Sequence, residues 1–339
     1  YRTDAKEEEM TVSGGFTQTI DWLAFTLPKA EVDDVIKTIG GDWFQSETGF
    51  RGYPVARLMT QGKTGVGKLG TGAPRSPKEV HVDLSAGIVS QWDETKLKTI
   101  LAWIFAQKGH VTRVDVALDD REATVAVETV RQAVEAGQVV SRSKQFKVIQ
   151  ASNHREGVRT GETLYFGSRE SQSMLRVYDK RLELQAKGRE DAASYGVRWE
   201  MELKQDRGQA CAKALLTLDS EDWRAFLVGV LRSYVDFRET TREAESYEKY
   251  RAPLLGWWET LTEGFRRCRL VVERIQQRLD DVAAWLAQSV ASMLAVVVAC
   301  RGDQFLTELI YAGTKKWKQK HYALLKERRR GTPYVLTIS

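Results

Sequence analysis

Four stretches of this chain alternate apolar and polar residues with a period of two, and that alternation constrains the fold more than any other feature. They are residues 80–85 (VHVDLS), 111–119 (VTRVDVALD), 164–180 (LYFGSRESQSMLRVYDK) and 197–204 (VRWEMELK). Successive side chains of a strand point to opposite faces, so each stretch has an apolar side and a polar side. Val80, Val82 and Leu84, then Val114, Val116 and Leu118, then Leu175 and Val177, then Val197, Trp199, Met201 and Leu203 fall on the apolar side. An antiparallel sheet with a core beneath it and an open face above satisfies all four. Residues 164–180 read as two paired strands around a polar loop. Residues two apart on a strand lie roughly 6.8 Å from each other, so Arg176, Tyr178 and Lys180 are expected to share the open face.

The polar sides carry chemistry. They bring Asp115, Asp119, Glu200 and Glu202 to the same face as Arg113, Arg176, Arg198, Lys180 and Tyr178. Carboxylates without neighbouring cysteine or histidine are hard oxygen ligands suited to Mg²⁺ or Mn²⁺. A tyrosine hydroxyl has a pKa near 10 and is a poor nucleophile at neutral pH unless cations or a metal favour its anion. A phenol between two cations suits a substrate rich in negative charge. The plainer reading is a solvated sheet with ordinary cross-strand ion pairs and Tyr178 as one of its aromatics.

The rest of the 339 residues frames this face. With 42% hydrophobic and 29% charged residues the composition is that of a soluble globular protein, and the net charge of +5 mildly favours a polyanionic partner. Cys211, Cys268 and Cys300 are odd in number and widely spaced, which argues against a disulfide framework and fits a reducing cytoplasm. Residues 1–16 read as a flexible tail. Residues 19–27 (TIDWLAFTL) predict a first strand, 30–39 a short helix and 50–59 (FRGYPVARLM) a second strand. The segment 62–77 contains Gly65, Gly67 and Gly70 in GxGxxG spacing and a partial GxxxxGK. Both phosphate motifs need a helix to begin at the glycines, and the glycines and prolines that follow prevent one. A basic hairpin loop is expected instead, with Lys63, Lys68 and Arg75 available to a nucleic-acid backbone. Helices are predicted over 93–108 and 122–136.

From about residue 255 the pattern changes. Val271, Ile275, Leu279, Val282, Leu286, Val290, Met293 and Val297 keep helical steps, predicting one long helix whose second half is buried in a bundle. The apolar run 282–300 contains Gln288, Ser289 and Ser292 and reads as a buried helix, not a membrane span. Residues 315–330 carry eight cations and one acid, either a solvated tail or a contact to a DNA backbone. The expected division is a tail over 1–16, a first domain over 17–250, a helical domain over 255–330 and a second tail over 331–339.

Taken in order, IDWLAFTL, FRGY, HVDLSAG, TRVDVALDD, TLYFGSRESQSMLRVYDKRLE and RWEMELK resemble the replication initiation factor family, the rolling-circle initiators of plasmids, phages and integrative elements. The resemblance spans residues 17 to about 250. It implies an enzyme that binds origin DNA, nicks one strand by tyrosine attack, remains linked to the 5′ phosphate and leaves a 3′-OH primer. On the RVYDK match the nucleophile would be Tyr178, flanked by Arg176 and Lys180; Tyr165 and Tyr195 are the competing tyrosines. The family is related to endonucleases with a His-hydrophobic-His metal motif, which this chain lacks. Asp115 and Glu200, assisted by Asp119 or Glu202, are therefore inferred here as ligands of the divalent metal, Mg or Mn. Arg113 and Arg198, with Lys63, Lys68 and Arg75, are the expected DNA contacts. Implied partners are single-stranded or supercoiled origin DNA, host helicase and polymerase, and a second copy of the chain. A DNA-binding protein of the same fold that does not cleave is the alternative. The expected fold class is α+β: an antiparallel sheet with helices on one face and an open catalytic face, followed by an all-helical C-terminal domain.

Overall fold

The computed structural model describes residues 15–62, 64–155, 157–270, 279–317 and 321–322. Among the described residues ten strands form one antiparallel sheet: β1 (Thr17–Leu27), β2 (Trp43–Gln45), β3 (Val55–Gln61), β4 (Thr64–Ala73), β5 (Ser76–Ser85), β6 (His110–Asp120), β8 (Phe146–Asn153), β9 (Val158–Phe166), β10 (Ser173–Asp179) and β11 (Val197–Lys204). Their order is β2-β3-β4-β5-β1-β6-β11-β10-β9-β8. A two-stranded sheet pairs β7 (Val139–Ser141) with β12 (Val235–Phe237). The predicted fold class is the one observed.

The alternation works as anticipated. Val114, Val116, Leu118, Leu175, Val177, Val197, Trp199, Met201 and Leu203 are all buried in one core. Helices α3 (Glu94–Ala106), α6 (Gln205–Thr217) and α7 (Trp223–Tyr234) cover that side through Leu97, Ile100, Leu101, Ile104, Cys211, Leu215, Leu227 and Leu231. Asp93 caps α3 by accepting from the Lys96 amide at 2.7 Å, so that helix starts where a capping residue predicts. Trp199 sits within an aromatic group, 6.0 Å from Phe16, 6.0 Å from Phe237 and 5.1 Å from Trp258 between ring centroids.

Several expectations change. The glycine-rich segment is not a loop but strand β4, paired with β3 and β5. Glycine serves packing there: a Cβ at Gly70 would lie 2.9 Å from the Tyr53 ring, and one at Gly67 would crowd Met59, Trp43 and Leu84. The strand predicted over 50–59 is β3, which starts at Val55, not at Phe50. Residues 50–53 close a tight turn in which Phe50 and Tyr53 exchange two backbone hydrogen bonds of 2.9 Å, and Arg51 and Gly52 both adopt positive φ. Helix α4 (Val127–Glu135) is shorter than predicted, because the Asp120 carboxylate accepts from the Thr124 and Val125 amides and holds the preceding residues in a turn.

The predicted long C-terminal helix is two helices, α10 (Leu279–Ser289) and α11 (Ala291–Arg301), interrupted at Val290, whose φ/ψ of −121°/−30° leaves the helical region. Its expected start at Val271 and Ile275 lies outside the described residues. No residue of α11 is buried; Met293 is 68% exposed and Val296 56%. Helix α12 (Asp303–Thr314) follows. Among the described residues no helix is long and apolar enough to cross a membrane.

The chain divides into compact units Tyr1–Val272 and Glu273–Ser339, about twenty residues later than the sequence placed the division. Trp258 and Leu261 of α9 (Gly256–Leu261) belong to the first core, and the Trp258 indole N–H donates to Asp236 at 2.7 Å.

Candidate active site

The open face of β6, β11 and β10 carries a connected set of charges that strand register brings together. Arg176 lies opposite Glu200, Tyr178 opposite Arg198, Arg198 opposite Asp119, and Glu202 opposite Asp115. The Tyr178 hydroxyl donates to Glu200 Oε2 at 3.0 Å, and the Arg176 guanidinium bonds the other oxygen, Oε1. Glu200 is thus a buried carboxylate oriented by an arginine and aimed at a phenol. Arg176 keeps its buried Nε–H without a hydrogen-bond partner, a donor that a ligand oxygen or water could satisfy. Burial and the neighbouring Glu200 charge push the Tyr178 pKa above its ordinary value, so the phenol is held protonated.

Lys180 reaches the site by another route than the one anticipated. Strand β10 ends at Asp179, whose carboxylate caps α5 (Lys180–Ala186) by accepting from the Leu182 amide at 2.9 Å. Lys180 opens that helix, yet its ammonium lies 5.8 Å from the Tyr178 ring centroid while pairing with Glu183 at 2.7 Å.

Next along the sheet, Arg113 grips Asp115 with two hydrogen bonds of 2.8 and 2.6 Å and also reaches Glu202 at 2.7 Å. Its guanidinium lies over the Trp22 ring, 4.5 Å from the centroid. Asp115 is nearly inaccessible, and burial, against the pull of Arg113 and reinforced by Glu200 and Glu202, raises its pKa to about 6. Arg198 is buried and binds both oxygens of Asp119, at 2.6 and 2.8 Å, as well as Asp21. Its guanidinium therefore faces carboxylates inside the protein.

Of the remaining predicted DNA contacts, Lys68 is exposed on β4, its ammonium 5.6 Å from the Phe50 ring centroid, and Arg75 is exposed in the β4–β5 turn. Lys63 lies outside the described residues. The competing tyrosines are placed apart from this carboxylate: Tyr165 lies opposite Arg176 on β9, and Tyr195 precedes β11, flanked by Arg121 and Arg198.

Sequence reasoning missed three contributors. Asp21 sits at a register shift in β1 between Ile20 and Trp22, so simple alternation does not assign its direction. The turn at 50–53 lays Tyr53 parallel to His81, 6.0 Å between centroids, and brings Arg51 to Asp83 at 2.8 Å. His81 and Asp83 were legible as polar-face residues of β5; their cover was not. The third is the Tyr178–Glu200 hydrogen bond, which depends on register between strands.

Comparison with known proteins agrees with this architecture. Residues 109–310, more than half of the chain, match the family model described as replication initiation factor. The "Putative DNA relaxase NicK" of Bacillus subtilis (strain 168) is 23% identical over 305 residues, covering 86% of this chain and 84% of that protein. A solved structure titled as that of the rolling circle replication initiator protein from Geobacillus stearothermophilus aligns with a TM-score of 0.61 at 22% identity, covering 76% of this chain and 99% of that one. That likeness concerns the fold. With the family match spanning β6, β10 and β11 and the sheet they share, this chain belongs to the replication initiation factor family.

Proposed function

We propose that the protein is a DNA strand-nicking initiator in which Tyr178 attacks a backbone phosphorus. The observation that carries the reading is the Tyr178 hydroxyl donating to Glu200 while Arg176 holds the other carboxylate oxygen. As the phenolic oxygen bonds to phosphorus, its proton passes to Glu200, and the 3′ oxygen of the preceding nucleotide leaves and takes a proton from solvent. The product is a 5′-phosphotyrosyl link and a free 3′-OH. Because the link keeps the ester's energy, the same groups reseal the strand when the 3′-OH attacks in turn. Arg176, through its unpartnered Nε–H, and Lys180 are placed to stabilise the charge that builds on the phosphoryl oxygens.

The family implies a divalent ion. Asp115, Glu200 and Glu202 fit one by donor chemistry, being hard oxygen ligands whose mutual repulsion contributes to the raised pKa of Asp115. Their present arrangement is closed by arginines: Arg113 bridges Asp115 and Glu202, Arg176 holds Glu200, and both Asp119 oxygens are on Arg198. Among the described residues no group of three potential ligands surrounds one point. A Mg or Mn ion would be held by Asp115 with Glu200 or Glu202 in exchange for those guanidinium contacts, and would supply Lewis-acid polarisation of the phosphoryl oxygen.

The test is incubation with supercoiled DNA carrying the element's own origin, with Mg²⁺ or Mn²⁺ and with a chelator. A denaturing gel then detects the adduct, and peptide mapping identifies the modified residue. An adduct on Tyr178 that the chelator abolishes is expected. DNA binding without any adduct would favour the non-cleaving alternative.

A further inference from the structure

Away from the tyrosine, at the other end of β10, lies a cavity of about 460 Å³ lined by Arg142, Ser143, Lys144, Gln145, Ser168 and Arg207, among others. Its basic groups are uncompensated. Among the described residues its lining cations, exposed Arg142 and Lys144 and half-buried Arg207, form no ion pair, and neither does Arg269, whose charge acts on Arg142. Burial together with the charges of Arg207, Arg269 and Arg267 pushes the pKa of Arg142 down, the effect expected where cations gather without an anion. Of the groups acting on Arg142, Tyr250 works in the opposite sense, while Glu170 in the 167–172 loop is drawn to Ser168 and to Lys204 and Arg169.

The cavity wall is also built, not incidental. The Tyr234 hydroxyl reaches the carbonyls of Phe166 and Ser173, each at 3.0 Å, and pins both ends of the loop 167–172. Gly167 adopts φ +97°, and a Cβ there would lie 2.5 Å from that hydroxyl, so this close approach requires glycine. Within the loop the Ser171 hydroxyl lies 2.8 Å from the Ser168 carbonyl. Arg207 stands in the first turn of α6, whose N-cap Lys204 makes no side-chain capping bond.

We propose that this cavity binds a phosphate group, forming an anion site separate from the nicking centre. Five residues of strand separate Ser173 from Tyr178, about 17 Å. That span is compatible with a DNA backbone phosphate several nucleotides from the scissile one, and a free oligophosphate offers the same chemistry. The proposal goes beyond the nicking function and does not need it to be correct.

The experiment compares the full chain with an Arg142→Ala/Arg207→Ala variant; Arg142 is exposed and Arg207 half-buried, and circular dichroism verifies folding. In one arm, pyrophosphate is added during thermal melting. In the other, oligonucleotide affinity is measured across a salt series. For a backbone phosphate, the variant loses about fivefold or more in affinity, and its log–log salt slope falls by about 1, the contribution of one phosphate contact. For a free phosphate, pyrophosphate raises the melting temperature of the wild type and not of the variant, with DNA affinity equal. Equal affinity, equal slope and no difference in pyrophosphate stabilisation overturn the proposal. Adduct formation on saturating DNA is followed in parallel for both proteins. Absence of that adduct from both proteins counts against the nicking reading alone.

Discussion

Tyr178→Phe removes one oxygen atom and leaves the ring, so it separates packing from chemistry. In the fold, Tyr178 contributes an aromatic face beside Lys180 and a hydrogen bond to Glu200. A hydrogen bond to a charged group contributes about 1.5–3 kcal/mol. Two effects offset its loss: the phenylalanine buries no hydroxyl, and Glu200 retains the Arg176 guanidinium, so the carboxylate is not orphaned. The expected net cost is about 1 kcal/mol, a fall in melting temperature of roughly 1–2 °C for a unit of this size. DNA affinity should change by less than about threefold, because a neutral phenol releases no counterion when DNA binds. Covalent adduct should vanish. The assays are a plasmid relaxation gel, a labelled-oligonucleotide adduct gel and thermal melting on the same preparation. An adduct at wild-type yield would place the nucleophile on Tyr165 or Tyr195, and a variant that unfolds would show that the hydroxyl is chiefly structural.

Glu200→Gln keeps a hydrogen-bond acceptor but removes the base, and nicking should fall by about 10²–10⁴ while DNA affinity is retained or improved; wild-type nicking would remove Glu200 from the proton path. Asp115 has a folded-state pKa of about 6, above the ordinary 3.8 of an unfolded carboxyl, so folding favours its protonated form. The cost of ionising it is absent below about pH 4, grows as pH rises to about 6 and then stays constant, reaching at most about 3 kcal/mol. Asp115→Asn should therefore gain stability relative to wild type across pH 4–6, and a melting-temperature difference independent of pH over that window would contradict the assignment. A fragment ending after Val272 should fold, whereas one ending after Arg251 loses Trp258 and Leu261 and should be destabilised by about 3–5 kcal/mol or more; urea unfolding of the two fragments decides, and equal stability would refute the role given to Trp258.

The amino-acid sequence by itself determined the central strands of the sheet, their two faces and the residues of the polar one. Val114, Val116 and Leu118, or Trp199, Met201 and Leu203, alternate with charges because a strand's side-chain direction is a local property repeating every two residues. Arg176, Tyr178 and Glu200 thus fall on one polar face by alternation alone. Which cation meets which carboxylate was a different matter. Arg198 joins Asp119 and Asp21, 79 and 177 residues away, and Tyr178 meets Glu200 across a strand pair whose register no local pattern specifies. The glycine-rich segment looked like a loop because the Tyr53 ring that fills the space above Gly70 belongs to another strand's approach. The helix 256–261 looked like the start of a second domain until Trp258 entered the first core. Local periodicity is set by backbone geometry and can be read from neighbours, whereas register, bulges and the partners of buried charges are set by which distant segments the fold brings alongside.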